Sequence, residues 1–482
     1  MPRAWCATIP CSSGKRRRLA PDETETWASL PPDLLELIGW RVLAGDLLDY
    51  VRFRAVCAHW SSSTVRPRGR GLVDPRFHPR RWMMLPEGHG LYPGHPNLAG
   101  HVRFVNLSTG AFARVHLPLF DDHVVLDSVD GLLLLLRHRD LDTAVRLLHP
   151  FTGDIAELPP LLSLLPQLEP RARNSCAAGD TKLREIGIFL RGICAAAAVS
   201  ATGAVTVMLA LEKIEIHRVA YATAGDKRWT VAPWTLPPLL TPMASSQGKL
   251  YLYATSPQSA TYQDDCKVYI HRIDPPQPNA ELSLSLSPPV MIAECPLLET
   301  AGKVSLVECG SELLFVGFSD DSFAHLSVYR LTDLVNGRVV PIKNIGDHAL
   351  FLDERGLCLS PNKWLPSAFG NSITCVNRSG LHDPQVETHG LRVEQFHLSS
   401  GTWSLAMDGD IFCSDRPPAS PYMLAHHIFT CCCPSYWNKG LMLNTAIMPD
   451  WSVKPNLQNW TLADGWSDSH GTSDIFPKLV HT

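Results

Sequence analysis

Two hydrophobic rhythms divide the chain. Between residues 27 and 66 the apolar positions recur with a helical period. Pro31 and Pro32 stand where a first helical turn tolerates proline, because the missing N–H would have no partner there. Leu34, Ile38 and Val42 follow at i, i+4 and i+8, with Leu35 beside them. Gly45 breaks this helix, and Asp46 is placed to cap the next by accepting an orphan backbone N–H. Leu47 and Val51 continue at helical spacing, and Phe53, Val56, Cys57 and Trp60 fall at i, i+3, i+4 and i+7. The pattern predicts three short helices. A module this small cannot bury all of these faces internally. Part of the stripe is therefore expected to meet a partner.

Past residue 80 the rhythm changes to short strand-like runs separated by glycine turns. One hairpin type ends in small or polar residues plus glycine: Ser108-Thr109-Gly110, Phe151-Thr152-Gly153, Thr223-Ala224-Gly225 and Ser399-Ser400-Gly401. Each is flanked by strand-like runs, and Gly110, Gly153 and Gly401 are expected to take positive φ. A second type sets glycine just before an apolar strand, at Gly131, Gly248, Gly310 and Gly356. Members of the first type lie near one, two and four blade lengths apart, at roughly 40–50 residues per blade. Repeated four-stranded units without helical spacers predict a mainly β domain, a β-propeller of kelch-like type. An array of β-sandwiches is the runner-up, and blade number is not readable. The expected domains are a disordered basic tail (1–26), the helical module (27–66), a connector (67–81), the propeller-like domain (82–407) and an irregular tail (408–482).

Composition narrows the function classes. Of 482 residues, 45% are hydrophobic and 19% charged, which suits a folded core. Net charge is -4 and the pI about 6.6, so nothing global points to nucleic acid or an anionic membrane. The uncharged stretch from Gly192 to Leu211 is long enough to span a bilayer. Its Ala-Thr-Gly centre followed by Val205, Val207 and Leu209 reads instead as a turn between buried strands. The 14 cysteines include no C-x-x-C pair, and Cys431, Cys432 and Cys433 are adjacent. They are read as reduced thiols of an intracellular protein, with no metal and no cofactor expected. Lys15, Arg16, Arg17 and Arg18 are a nuclear-import candidate as much as a solvated tail, so the nucleus, the cytoplasm or both are expected.

No G-x-S-x-G elbow, Walker loop, H-E-x-x-H or G-x-G-x-x-G is present, and no catalytic residues are assigned. Asp121-Asp122-His123 reads as a polar loop, and Asp264-Asp265 and Asp320-Asp321 as solvated loop tips. His426-His427 near Cys431 has no second ligand pair, and Asp347 and His348 read as a turn.

Two resemblances follow. Trp27-Ala-Ser-Leu-Pro-Pro-Asp-Leu-Leu-Glu-Leu-Ile with Phe53-Arg-Ala-Val-Cys-Ala-His-Trp60 resembles the F-box, although Ser61 replaces a common arginine. The remainder resembles the KIB-type β-propeller domain of a large plant F-box family. Trp82-Met-Met-Leu-Pro86 is similar to its opening motif. Leu147-Leu-His-Pro-Phe-Thr-Gly153 resembles its Asn-Pro-x-Thr-Gly hairpin, with His149 in place of asparagine. Ile345-Gly-Asp-His-Ala-Leu-Phe-Leu352 with Cys358-Leu-Ser360 resembles its most recognisable stretch. The resemblance implies the substrate-receptor subunit of an SCF-type ubiquitin ligase. The F-box would dock a Skp-type adaptor, and through it a cullin-RING ligase, using Leu30, Pro31, Leu34, Leu35, Ile38, Leu47, Val51, Val56 and Trp60 as core and adaptor face. The propeller would recruit an unknown protein substrate. A non-ligase interaction scaffold and a propeller-fold hydrolase are the alternatives.

Overall fold

The computed structural model describes residues 27–85, 100–137, 143–168, 193–213, 216–236, 239–255, 267–278, 284–296, 304–319, 324–360, 369–376 and 393–406, with Ile428, Cys431, Cys432 and Trp437. Lys15 to Arg18, Asp264-Asp265, Asp320-Asp321 and His426-His427 lie outside the described residues. The chain divides into two units, Met1–Arg66 and Pro67–Thr482.

The first unit is helical. After a 3-10 turn at Trp27–Ser29 come α1 (Pro32–Gly45), α2 (Leu47–Arg54) and α3 (Ala58–Ser62). Pro31 precedes the first turn, and the Asp46 carboxylate caps α2 by accepting from the amides of Leu48 and Asp49. The spacing of Phe53, Val56, Cys57 and Trp60 does not continue as one helix. The chain breaks at Ala55–Cys57, and the Cys57 sulfur accepts from the Trp60 amide at the start of α3.

The second unit is mainly β, a six-bladed propeller. Blade 1 holds β1 (Trp82–Met84), β2 (His101–Asn106) and β3 (Phe112–His116). Blade 2 is the meander β4 (His123–Val129), β5 (Leu132–Arg137), β6 (Val145–Leu148) and β7 (Ile155–Leu158). Blade 3 holds β8 (Ile193–Val199), β9 (Val205–Lys213), β10 (Ile216–Thr223) and β11 (Thr230–Val231). Blade 4 uses β12 (Leu239–Ser246), β13 (Lys249–Thr255), β14 (Val268–Ile273) and β17 (Val290–Cys295), with the ribbon β15 (Gln277–Pro278) and β16 (Leu284–Ser285) inserted. Blade 5 holds β18 (Val304–Cys309), β19 (Glu312–Phe318) and β20 (Leu326–Arg330), followed by the short α4 (Leu331–Val335). Blade 6 is ordered β22-β21-β23-β24-β25 from β21 (Ala349–Leu352), β22 (Gly356–Leu359), β23 (Ser372–Val376), β24 (Val393–His397) and β25 (Thr402–Leu405), with β21 and β23 parallel. The uncharged stretch from Gly192 is the β8–β9 hairpin, paired from Ile193↔Leu211 to Val199↔Val205. Among the described residues no helix is long and apolar enough to cross a membrane.

Apolar side chains fill the seams between blades. Leu134 and Leu147 of blade 2 share a cluster with Ala195, Val207 and Leu209 of blade 3. Tyr253 and Ile270 of blade 4 meet Leu306 and Phe315 of blade 5. Buried apolar residues on both faces make this packing possible, leucines in β5 and alanines in β8, as in a sheet covered on two sides.

The two hairpin types have separate places. The Ser108–Gly110, Phe151–Gly153, Thr223–Gly225 and Ser399–Gly401 turns join the last two strands of their blades. Gly110, Gly153 and Gly401 have φ of 69°, 74° and 68°. The turns at Gly131, Gly248, Gly310 and Gly356 join the first hairpin of theirs. Gly131 shows why a side chain is refused: its φ is +81°, and a Cβ would lie 2.1 Å from the Pro79 carbonyl oxygen.

That contact belongs to residues 67–81, which strap blade 2. Amides of Gly69 and Gly71 donate to the Asp154 carboxylate at 2.8–2.9 Å. Leu72 and Phe77 are buried, and the Phe77 carbonyl accepts from His149 Nε2 at 3.0 Å. The other ring nitrogen of His149 accepts from the amides of Phe151 and Thr152. Asn106 Oδ1 does the same for Ser108 and Thr109 in blade 1. An imidazole thus copies an asparagine oxygen, but only while neutral.

Burial lowers the pKa of His149 to about 4, and that of His78 in the strap likewise to about 4. Between pH 6.5 and 4 the unfolded chain binds protons that the folded chain refuses. Stability present above pH 6.5 is therefore lost as pH falls toward 4, by roughly 3 kcal/mol for each ring. His149→Asn keeps the acceptor and removes the titration. Comparing urea unfolding at pH 7 and pH 4, the variant should lose roughly 3 kcal/mol less than the natural chain. Equal losses would show that His149 does not carry the effect.

Candidate functional site

In the helical unit, a four-residue spacing of α1 positions marks the side that faces in. Leu35, Gly39 and Leu43 are buried, and Ile38 and Val42 are half-buried beside them. Leu47, Leu48 and Tyr50 of α2 complete the interior. Gly39 allows close approach: a Cβ there would meet Thr64 Cγ2 at 3.1 Å and Tyr50 Cε2 at 3.3 Å. The Tyr50 hydroxyl and the Arg54 guanidinium both donate to the Val65 carbonyl, and Arg54 also reaches the Ser61 carbonyl. Phe53 and Trp60 pack with centroids 4.4 Å apart. The Trp60 indole donates to the Trp27 carbonyl at 3.1 Å, and His59 Nε2 bonds the Leu30 carbonyl at 2.8 Å. These two bonds pin the entering chain to α3.

Leu35 and Leu47 of the nine residues named from the sequence are therefore core, because the module has nothing else to bury against α2. Leu30, Ile38, Val51 and Trp60 are half-buried. Pro31, Leu34 and Val56 face outward, with Leu34 48% and Val56 60% exposed. Trp27 and Leu37 join them, at 76% and 52%. Leu37 escaped the sequence reading although it lies one turn beyond Leu34, since the i, i+4, i+8 series passes it by. Four large apolar side chains in so small a unit are more than its own fold can cover.

The propeller offers a different surface. In a four-stranded meander the first and third turns leave at the same end of the sheet, so both hairpin types share one rim. At blade 2 the strap covers that rim. Toward the axis, Asp127 of β4 is fully buried and forms an ion pair with Arg355 of the β21–β22 turn. Asp127 also accepts from the Ala195 amide of β8 at 2.7 Å. Burial pushes the Asp127 carboxyl up against the pull of the guanidinium. Arg355 further donates to the Ser128 carbonyl at 3.0 Å, and its guanidinium lies 5.1 Å from the Trp437 ring. Burial likewise raises the pKa of Asp130 and of Glu308. Arg80 stands 3.6 Å from Asp130, and Ser246 Oγ donates to Glu308 at 3.1 Å. These carboxylates are engaged in closing the inner turns, not poised as a free acid and base.

The family model for the KIB1-4 beta-propeller matches residues 104–398, more than half of the chain. The chain belongs to this family. Comparison with curated proteins finds no match. The KIB1-4 propeller is a protein-interaction type of domain and not a known enzyme class. The matched span runs from β2 to just past β24, so β1, β25 and the buried tail residues lie outside it. Asp122 and His123, one candidate cluster, are bonded to each other and to Arg137 and Arg146. Those bonds satisfy the pair, and His123 is buried at the start of β4 and not in the expected polar loop.

Proposed function

We propose that this KIB1-4 propeller is the substrate-receptor subunit of an SCF-type ubiquitin ligase. The observation that carries the proposal is the outward apolar set Trp27, Leu34, Leu37 and Val56 on a three-helix module whose sequence resembles an F-box. This set docks a Skp-type adaptor, and the propeller recruits a protein substrate. The chain performs no bond chemistry itself. It raises effective concentration, turning the encounter of a substrate with a ubiquitin-loaded enzyme into a nearly intramolecular one. Such work belongs in the nucleus or the cytoplasm, where the ligase acts.

Leu34→Asp with Leu37→Asp tests the docking step. Both side chains point outward, so folding is expected to survive while adaptor affinity falls at least tenfold, as for a lost pair of buried anchors. Purified adaptor and calorimetry give the measurement. Unchanged affinity would leave the scaffold reading, in which the propeller binds its partner without a ligase.

A further inference from the structure

The seam between blades 5 and 6 brings together three donors that no sequence spacing reveals. Cys309 ends β18, the inner strand of blade 5, and Cys358 lies on β22, against β18. His348 stands in the turn just before β21. The two sulfurs are 3.0 Å apart, and one donor atom from each of the three residues lies within 4.8 Å of the others. The strands hold the thiols, since β18 pairs Cys309↔Glu312 and β21 pairs Leu350↔Cys358. The imidazole is held as well. The His348 carbonyl accepts from the Asn371 amide at 2.8 Å, and Ser360 Oγ lies 3.4 Å from its Nδ1.

From this geometry we propose that Cys309, His348 and Cys358 form a Cys2His site for a thiophilic divalent cation, zinc being the best fit. Zinc takes thiolate at about 2.3 Å and imidazole at about 2.0–2.1 Å in a tetrahedron. Those lengths set the sulfurs roughly 3.8 Å apart, reached here by small side-chain rotations. A disulfide would use the two sulfurs and leave His348 without a reason to be there. Among the described residues no fourth His, Cys, Asp or Glu joins the cluster. The fourth position falls to water or a small exogenous donor. Binding replaces two thiol protons, which leave to solvent, so a divalent ion meets two thiolates and one neutral imidazole. The ligands come from two blades, so the ion would clamp a seam otherwise packed with apolar side chains and crossed by the Trp403 indole donating to the Ala324 carbonyl.

The test uses the full chain, stripped with a chelator under reducing conditions. Cobalt(II) should bind with one equivalent showing thiolate charge transfer and the strong d–d bands of a tetrahedral site. Zinc should displace it. Cys358→Ser and His348→Ala should each weaken zinc binding at least a hundredfold in chelator competition, at the strong end of what second-shell losses of ~10–100-fold already cost such sites. A second readout needs no variant: zinc should protect Cys309 and Cys358, but not the equally half-buried Cys57, from alkylation in peptide mapping. Binding that survives both variants, protection confined to other cysteines, or a Cys309–Cys358 disulfide found in place of metal would each overturn the proposal.

Discussion

Arg355→Met should destabilise the propeller by about 3–5 kcal/mol at pH 7, the usual consequence of leaving one buried charge without its partner. Asp127 has no access to water, and its remaining partners are the Ala195 and Ser128 amides. Without the guanidinium, two backbone donors are left to hold a buried carboxylate, which must take up a proton or unfold the seam. The same substitution also removes the donor to Ser128 and the cation resting on Trp437. Adding Asp127→Asn to Arg355→Met should recover most of the loss, since the uncompensated charge is then gone. Urea unfolding of the two single variants and the double variant gives the coupling. A single-variant loss under about 1 kcal/mol would show that the pair is not what fastens blade 6 to blade 2.

Ending the chain at residue 407 should do more. Ile428, Cys431, Cys432 and Trp437 are all almost fully buried. Cys431 Sγ contacts the Met84 carbonyl of β1, and Cys432 Sγ contacts the Phe351 carbonyl of β21. The Arg355 amide donates to the Cys432 carbonyl at 2.9 Å. Ile428, Cys431 and Cys432 thus pack with Leu85 and Val105 at blade 1 and with Ala349 and Phe351 of blade 6. Losing Trp437 alone costs about 3–5 kcal/mol and Ile428 about 2–5 kcal/mol. Together with the exposed Leu85 and Phe351 this approaches the whole margin of about 5–15 kcal/mol for a domain. The truncated chain should show no cooperative melting transition and should bind a hydrophobic dye. A sharp transition within a few degrees of the full chain would mean that the tail only decorates the ring.

What the sequence made legible follows physical range. Turn chemistry is local, so Gly110, Gly153 and Gly401 and the strands beside them could be read directly. The Asp46 cap was equally local. Which face of α1 is core could not be read, because Leu34 and Leu35 are both apolar and the decision belongs to α2. The tail was opaque for the same reason: isolated buried residues such as Ile428 and Trp437 carry no periodicity. Partners drawn from two blades, such as Asp127 with Arg355, are joined only by the closure of the ring. His149 was visible as a departure from an asparagine. Its cost in acid appears only once the strap places Phe77 against it.

The placement of the closing segment also sets an order of events during synthesis. Blade 1 is made first among the blades, yet the residues that seal its inner side come after blade 6. At ~5–20 residues per second, a ribosome takes many seconds to pass from β1 to Trp437. Through that interval Leu85 and Val105 of the emerging chain stay unsealed. The helical unit, complete long before, is ready for its own partner while the larger body is still unfinished. Ring closure therefore waits until Trp437 has been made, and nascent-chain chaperones have their longest opportunity at blade 1.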